Sequence, residues 1–255
     1  MQQLTVRIDR ACRPAGLVQR RFDEPPFGTA YISVSPREQE EYASCNSNRV
    51  HLCGTEGGLT EAGVGRFKEF FANAGVNRFY VWLSPGPDME VVRGWLAQCG
   101  LTRVPYVAYP TLARAVGDPA AGRTEFEIRE IDATEIARLG GTLAEAAWPV
   151  YLRLAGATGF YHFAALHDGA PVASAVLCVF EELGYLALAQ TAEAFRRRGA
   201  QQTLIAQRMK KAAALGCRIL VSETLSILKD SLANLRKAGF ETIFEKEVYE
   251  ARSTT

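Results

Sequence analysis

Phe195-Arg196-Arg197-Arg198-Gly199-Ala200, running on into Gln201-Gln202-Thr203-Leu204-Ile205, marks the point where strand-like patterning gives way to a helix. From Gly199 onward Leu204, Ile205, Met209, Ala212 and Ala213 fall within one half of a helical wheel. Gln207, Lys210 and Lys211 lie opposite, and Gly216 is placed to end the helix. A helix that starts here leaves its first backbone N–H groups without intrahelical acceptors, pointing the way the helix dipole favours anions. Gly199 lacks a Cβ, so the backbone can approach a ligand closely, and Arg196, Arg197 and Arg198 bring guanidinium groups to the same end. Cations so placed oppose the dipole by about 0.3–1 kcal/mol each, an arrangement that a bound anion explains. The alternative is a solvated turn or a nucleic-acid patch. The loop has neither the Gly-x-x-x-x-Gly-Lys-Ser/Thr of a nucleotide P-loop nor the Gly-x-Gly-x-x-Gly of a dinucleotide fold.

Upstream, the segment from Phe160 to Phe180 reads as two strands around Asp168-Gly169, a dipeptide suited to the positive φ angles of a tight hairpin turn. A second turn at Glu181-Glu182-Leu183-Gly184 leads into a third strand ending at Thr191. Before these, Phe126, Ile128 and Ile131 suggest a strand, and a helix is expected from about Ala133 to Ala147. Downstream, Cys217 to Glu223 reads as a short buried strand. Leu228, Leu232 and Leu235 then mark a helix capped by Asp230 or Ser231 and closed by Gly239, and the segment from Glu241 supplies a last strand. The order mixes an antiparallel meander with one parallel crossover, an α+β pattern.

The chain has 255 residues, 48% of them hydrophobic and 22% charged, as in a globular protein with a sizeable core. A net charge of +1 provides no global field for nucleic acid or anionic lipid, so an anion site must be local. Cys12, Cys45, Cys53, Cys99, Cys178 and Cys217 form no Cys-x-x-Cys pair and no zinc-ligand spacing with histidine, so no metal site is expected. Cys178 and Cys217 sit in apolar runs and should pack as reduced thiols, in keeping with a reducing cytoplasm. The N-terminus lacks the apolar run of a signal peptide, and no stretch is long and apolar enough for a membrane span. The Gly- and Pro-rich segment 116–123 reads as a linker between a unit at 1–118 and one at 123–255.

The loop and the elements around it resemble the GNAT superfamily of N-acetyltransferases. In that family a Gln/Arg-x-x-Gly-x-Gly/Ala loop and the next helix hold the pyrophosphate of coenzyme A. Arg196 and Gly199 match the first two fixed positions, and Gln201 replaces the third. Gly239-Phe240, closing the last helix, matches a second family feature, and the resemblance extends over roughly Thr124 to Tyr249. It implies cofactor contacts from Ala189, Thr191, Arg196, Arg197, Arg198, Gly199, Ala200, Gln201 and Asn234, with acetyl-CoA as cosubstrate. The acceptor must be an uncharged amine, whose deprotonation at neutral pH costs roughly 4–5 kcal/mol unassisted, so a base is needed. The family's glutamate on the fourth strand is absent from Tyr185 to Thr191. Glu223 is the best-placed carboxylate, with His162 and Glu182 as weaker candidates, and Leu235 stands where the resemblance would put a tyrosine acting as general acid.

The first half repeats the pattern. Gly75 to Gly100 and Gly216 to Gly239 each enclose a strand, a loop and a capped helix, with Asp88 and Asp230 as caps. The resemblance therefore implies two GNAT-like domains, each a mixed, mostly antiparallel sheet flanked by helices. The loop before the first-half helix, Gly54 to Gly63, carries acids and no arginine, so that copy reads as degenerate. The expected function is transfer of acetyl from acetyl-CoA directly to a primary amine of a small acceptor, with no nucleic-acid or membrane partner. The expected assembly is a monomer with an internal pseudo-dimer or a homodimer. A non-catalytic acyl-CoA sensor is the alternative. An aminoacyl-tRNA-using transferase is disfavoured by the near-zero charge.

Overall fold

The structure is a computed structural model that describes residues 18–22, 30–34, 36, 48–53, 59–86, 88–117, 125–132, 134–135 and 155–252. The elements in chain order are β1 (Val18–Phe22), β2 (Ala30–Val34), β3 (Arg49–Cys53), α1 (Glu61–Asn73), β4 (Arg78–Leu83), α2 (Met89–Gln98) and β5 (Thr102–Ala115). They continue with β6 (Glu127–Ile131), β7 (Phe160–His167), β8 (Ala170–Phe180), β9 (Leu183–Thr191), α3 (Ala200–Ala214), β10 (Ile219–Glu223), α4 (Lys229–Lys237) and β11 (Glu241–Arg252). Most of the predicted Ala133–Ala147 helix, the 118–124 part of the linker and the Gly54–Gly58 part of the first-half loop lie outside the described residues.

All the strands join one sheet, in the order β1-β2-β3-β4-β11-β5-β10-β9-β8-β7-β6. This corrects the expectation of two separate sheets. The physical reason is an exchange of last strands. β5, from the first half, pairs antiparallel with β10 from Ala115 opposite Ile219 to Thr111 opposite Glu223. β11, from the second half, pairs antiparallel with β4 from Leu83 to Arg78. The two exchanged strands also pair with each other, so backbone hydrogen bonds run unbroken across the middle. Arg114 of β5 donates to Ala238 O at the corner between α4 and β11.

Alternation along the strands separates two faces. On the helix face, α1 and α2 cover Ile32, Val50, Val81 and Tyr249, and α3 and α4 cover Leu112, Phe163, Leu186 and Leu220. The opposite face carries Tyr80, Trp82 and Val248 in the first half and Ala164, Val176 and Ala187 in the second. The hairpin turn forms as read, with positive φ at both Asp168 and Gly169. The cap assignments fail in part. Asp88 caps α2 without a side-chain hydrogen bond, and α4 begins at Lys229 behind Leu228, which leaves Asp230 inside the first turn. Thr60 caps α1, accepting from Gly63 N at 3.2 Å.

Candidate functional site

β9 and β10 pair in parallel only from Leu183 opposite Ile219 to Leu186 opposite Ser222, although β9 runs on to Thr191. The break coincides with a bulge. The β8–β9 register jumps between Ser174/Gln190 and Val176/Ala187, and Leu188 takes a φ of 47°. The bulge turns the end of β9 away from β10 and opens a fork. Arg208 of α3, fully buried, donates to Val176 O at 3.2 Å, Ala187 O at 3.4 Å and Leu204 O at 3.1 Å, so it satisfies carbonyls beside the bulge. Its place four residues after Leu204 on the apolar stripe was a readable signal for burial that the wheel missed, whereas Ala213 is exposed.

Beyond the fork, Gly199 is the N-cap of α3, with φ 91° and open space where a Cβ would stand. Arg196 and Arg197 are exposed, and their side chains make no ion pair among the described residues. Arg198 is committed elsewhere. Its Nε and Nη2 donate to Glu125 at 2.8 and 2.9 Å, and its guanidinium stacks over Phe195 at 4.9 Å from the ring centre. The hydrogen bond from Arg198 holds the Glu125 carboxyl below its ordinary range. Arg198 thus anchors the loop to the start of β6, and the cations at the helix end that have no ion pair among the described residues are Arg196 and Arg197. Gln201 turns its amide to β9, donating to Gln190 O at 2.7 Å and Thr191 Oγ1 at 2.9 Å. Its departure from Gly/Ala therefore stitches helix to strand. Ala189 is exposed and Thr191 half-buried at the tip of the fork, and Ala200 is buried. Asn234 sits in the middle of α4, receiving Gln202 Nε2 at its own O and Oδ1, at 2.8 and 2.9 Å.

Glu223 ends β10 on the opposite face, buried at 5% side-chain exposure. Lys246 Nζ of β11 donates to its Oε1 at 2.7 Å and Thr111 Oγ1 of β5 at 2.5 Å, and the Tyr185 hydroxyl of β9 lies 3.5 Å from Oε2. Burial first, then the Glu223 charge, pushes the Tyr185 phenol well above its ordinary value, so it stays protonated at neutral pH. Four adjacent strands from both halves thus converge on one carboxylate. Nothing in the sequence set Lys246 apart from the other charges of β11, because its role depends on which strand becomes its neighbour. His162 stands in the same cross-strand row, opposite Val176, which is opposite Ala187. Three strand spacings of about 4.8 Å separate it from β10, so the two cannot act on the same atom. His162 is buried beside a cleft of about 400 Å³ that also touches Glu130, Glu135 and Tyr161. Glu182 is exposed and paired with Arg218 at 3.1 Å, away from the fork.

No known family model matches the chain, and no curated protein matches it by sequence. Solved structures do. A GCN5-related N-acetyltransferase from Kribbella flavida superposes with a TM-score of 0.66 at 16% identity, over 99% of this chain and 95% of that one. A tandem GNAT protein from the clavulanic acid biosynthesis pathway superposes with a TM-score of 0.62 at 10% identity, over 98% and 87% of the two chains. A GCN5-related N-acetyltransferase from Sphaerobacter thermophilus gives 0.62 at 12% identity, over 88% and 76%. The protein therefore has an α+β fold built on one mixed sheet that forks beside a helix N-terminus. That fold is the GNAT fold of N-acetyltransferases, matched over nearly the whole chain by a tandem form.

Proposed function

We propose that the protein is an acetyl-CoA-dependent N-acetyltransferase that moves the acetyl group directly to a primary amine of a small acceptor in the cytoplasm. The observation that supports it is the alignment of the β9/β10 fork with the open, positive-φ Gly199 and with Arg196 and Arg197, which make no ion pair among the described residues, at the start of α3. Pyrophosphate would lie on the first-turn N–H groups of α3 under those two arginines, and the pantetheine arm would follow Ala189 and Thr191 along β9. Glu223 is the base of this reading, and the protonated Tyr185 hydroxyl is the group nearest it that can return a proton to the leaving thiolate. The cofactor belongs to the unit at 123–255, and the unit at 1–118 shapes the acceptor side.

The second reading is an acyl-CoA sensor without turnover. It is favoured by the Lys246 and Thr111 bonds that already occupy Glu223 Oε1, and by Leu235 packed in the core where relatives place a tyrosine. Thermal unfolding with acetyl-CoA tests both. At 100 times its dissociation constant the ligand adds about 2.7 kcal/mol to the wild type and little to Gly199→Glu. An unmoved wild-type transition removes both readings. Release of free thiol with an added amine then separates enzyme from sensor.

A further inference from the structure

Glu223 is the first residue of β10 beyond the last β9–β10 pair, Leu186 opposite Ser222, so its carboxyl group stands where the two strands begin to part. Its two oxygens have different surroundings. Oε1 is taken, by Lys246 Nζ at 2.7 Å and Thr111 Oγ1 at 2.5 Å. Oε2 has, among the described residues, the Tyr185 hydroxyl at 3.5 Å, well beyond the usual O–H···O length of about 2.7–2.8 Å, and so keeps capacity for a further donor. An N–H entering the fork therefore finds Oε2 and not Oε1.

The charge at that oxygen is already balanced. Lys246, with 2% of its side chain exposed, sets its ammonium against the carboxylate and lies 5.5 and 5.9 Å from the ring centres of Tyr109 and Trp82. Of the groups that act most on Tyr185, namely Glu223, Tyr109, Cys178 and Arg49, Glu223 is the one carboxylate and Arg49 adds a second cation. Tyr185 itself remains a neutral phenol, since burial and then the Glu223 charge raise its pKa. An ammonium ion brought to Oε2 would shed its water and add an uncompensated positive charge to a buried ion pair, which is costly. A neutral amine avoids that cost. It donates one N–H to Oε2 and keeps its lone pair free.

We infer that Lys246 and Thr111 are positioning residues that make Glu223 Oε2 a receptor for a neutral amine, so that the acceptor class is a weakly basic primary amine: an α-amino group, or an amine beside an electron-withdrawing substituent. At pH 7 about one in ten α-amino groups is neutral, against about 1 in 2,500 lysine-like amines. Selection of the neutral form is a property of this chain alone, whereas its use rests on the proposed acetyl transfer. In that transfer the nitrogen lone pair forms the bond to the acetyl carbon as the bond from that carbon to sulfur breaks. Oε2 takes the proton that the nitrogen sheds, and the Tyr185 hydroxyl gives its proton to the departing thiolate and regains one from Glu223. The net change is one proton moved from amine to thiol.

Ethylamine and 2,2,2-trifluoroethylamine test the selection, because they are nearly one size and the fluorines leave the second largely neutral at pH 7. Each is titrated into the 255-residue chain without acetyl-CoA, at pH 7 and pH 8 and constant ionic strength, and the melting temperature is read. The half-saturating ethylamine concentration should fall about tenfold from pH 7 to pH 8 as the neutral fraction rises, and that of trifluoroethylamine should lie lower and stay constant. This comparison needs no variant. In the Glu223→Leu/Lys246→Met protein, which replaces both charges together, trifluoroethylamine should need a concentration about tenfold higher or more, as for loss of one hydrogen bond to a charged group. An ethylamine affinity that is the same at both pH values shows that the ammonium ion is bound and overturns the proposal. Absence of any amine shift, or an equal trifluoroethylamine shift in the double variant, overturns it as well. Thiol release from acetyl-CoA should follow the same two pH patterns. Amine binding as expected but with no thiol released from either amine overturns the acetyl transfer and leaves the neutral-amine site standing.

Discussion

Glu223 and Lys246 hold each other where neither charge meets water, with side-chain exposures of 5% and 2%. Removing one partner of such a pair leaves a buried charge uncompensated, which costs about 3–5 kcal/mol, whereas removing both together costs much less. Lys246→Met should therefore destabilise the protein more than the Glu223→Gln/Lys246→Met double variant, as read by urea unfolding; a double variant worse than the single would mean the pair is not the local source of stability. Glu125 and Arg198 present the exposed counterpart. The Arg198 bond lowers the Glu125 pKa from its ordinary 4.5, so the contribution is complete above that value and is lost as pH falls through the lower folded value. The melting-temperature gap between wild type and Glu125→Gln should be constant from pH 6 to 8 and should shrink below about pH 4.5. A gap that widens in acid would contradict the assignment. At this scale the sequence was partly legible. Gly199 and the arginines were visible because helix starts and charge placement are local, and Glu223 because a lone acid ends an apolar strand. The division of labour between Arg196, Arg197 and Arg198 was not, since it depends on Glu125 arriving from a distant strand.

At the scale of elements the fork is the decisive feature, and α3 shapes it twice. Gln201 ties its first turn to the tip of β9, and Arg208 ties its middle to the carbonyls beside the bulge. In the proposed reading, the helix whose N-terminus takes the pyrophosphate thus also holds open the strand that would follow the pantetheine arm. Arg208→Met leaves Val176 O and Ala187 O without their buried donor, at about 1–3 kcal/mol for each orphaned group. Urea unfolding should register that loss, and acetyl-CoA affinity should weaken at a temperature where the variant is still fully folded. Unchanged affinity in the folded variant would show that the bulge stands without Arg208. Strand and helix order was legible here because turn residues and periodicity are local signals. The bulge was not, because a one-residue slip between neighbours leaves no mark on the alternation of small apolar residues from Tyr185 to Gln190.

Across the whole molecule, the exchange of β5 and β11 determines what counts as a unit. The repeated glycine spacing suggests two similar halves, but a repeat in sequence does not say to which sheet each last strand belongs. The exchange places Thr111 of the first half against Glu223 of the second, and β11 carries Lys246 to the seam while lining the first half with Val248. A second half made alone, residues 123–255, would lose β5 from between β10 and β11 and β4 from beside β11, exposing backbone donors and acceptors along both strands. Such a fragment should be insoluble or self-associated and should show no acetyl-CoA stabilisation, even though it contains Arg196, Arg197, Gly199 and Glu223. Coexpression with residues 1–122 should restore solubility and the ligand shift together, because the partner supplies β5 and β4 by backbone pairing and does not need the connecting peptide. Sedimentation and thermal unfolding of the fragment and the coexpressed pair check this. A soluble monomeric 123–255 fragment with the full acetyl-CoA shift would mean that the second half closes its own sheet, and that the seam contributes to the acceptor site alone.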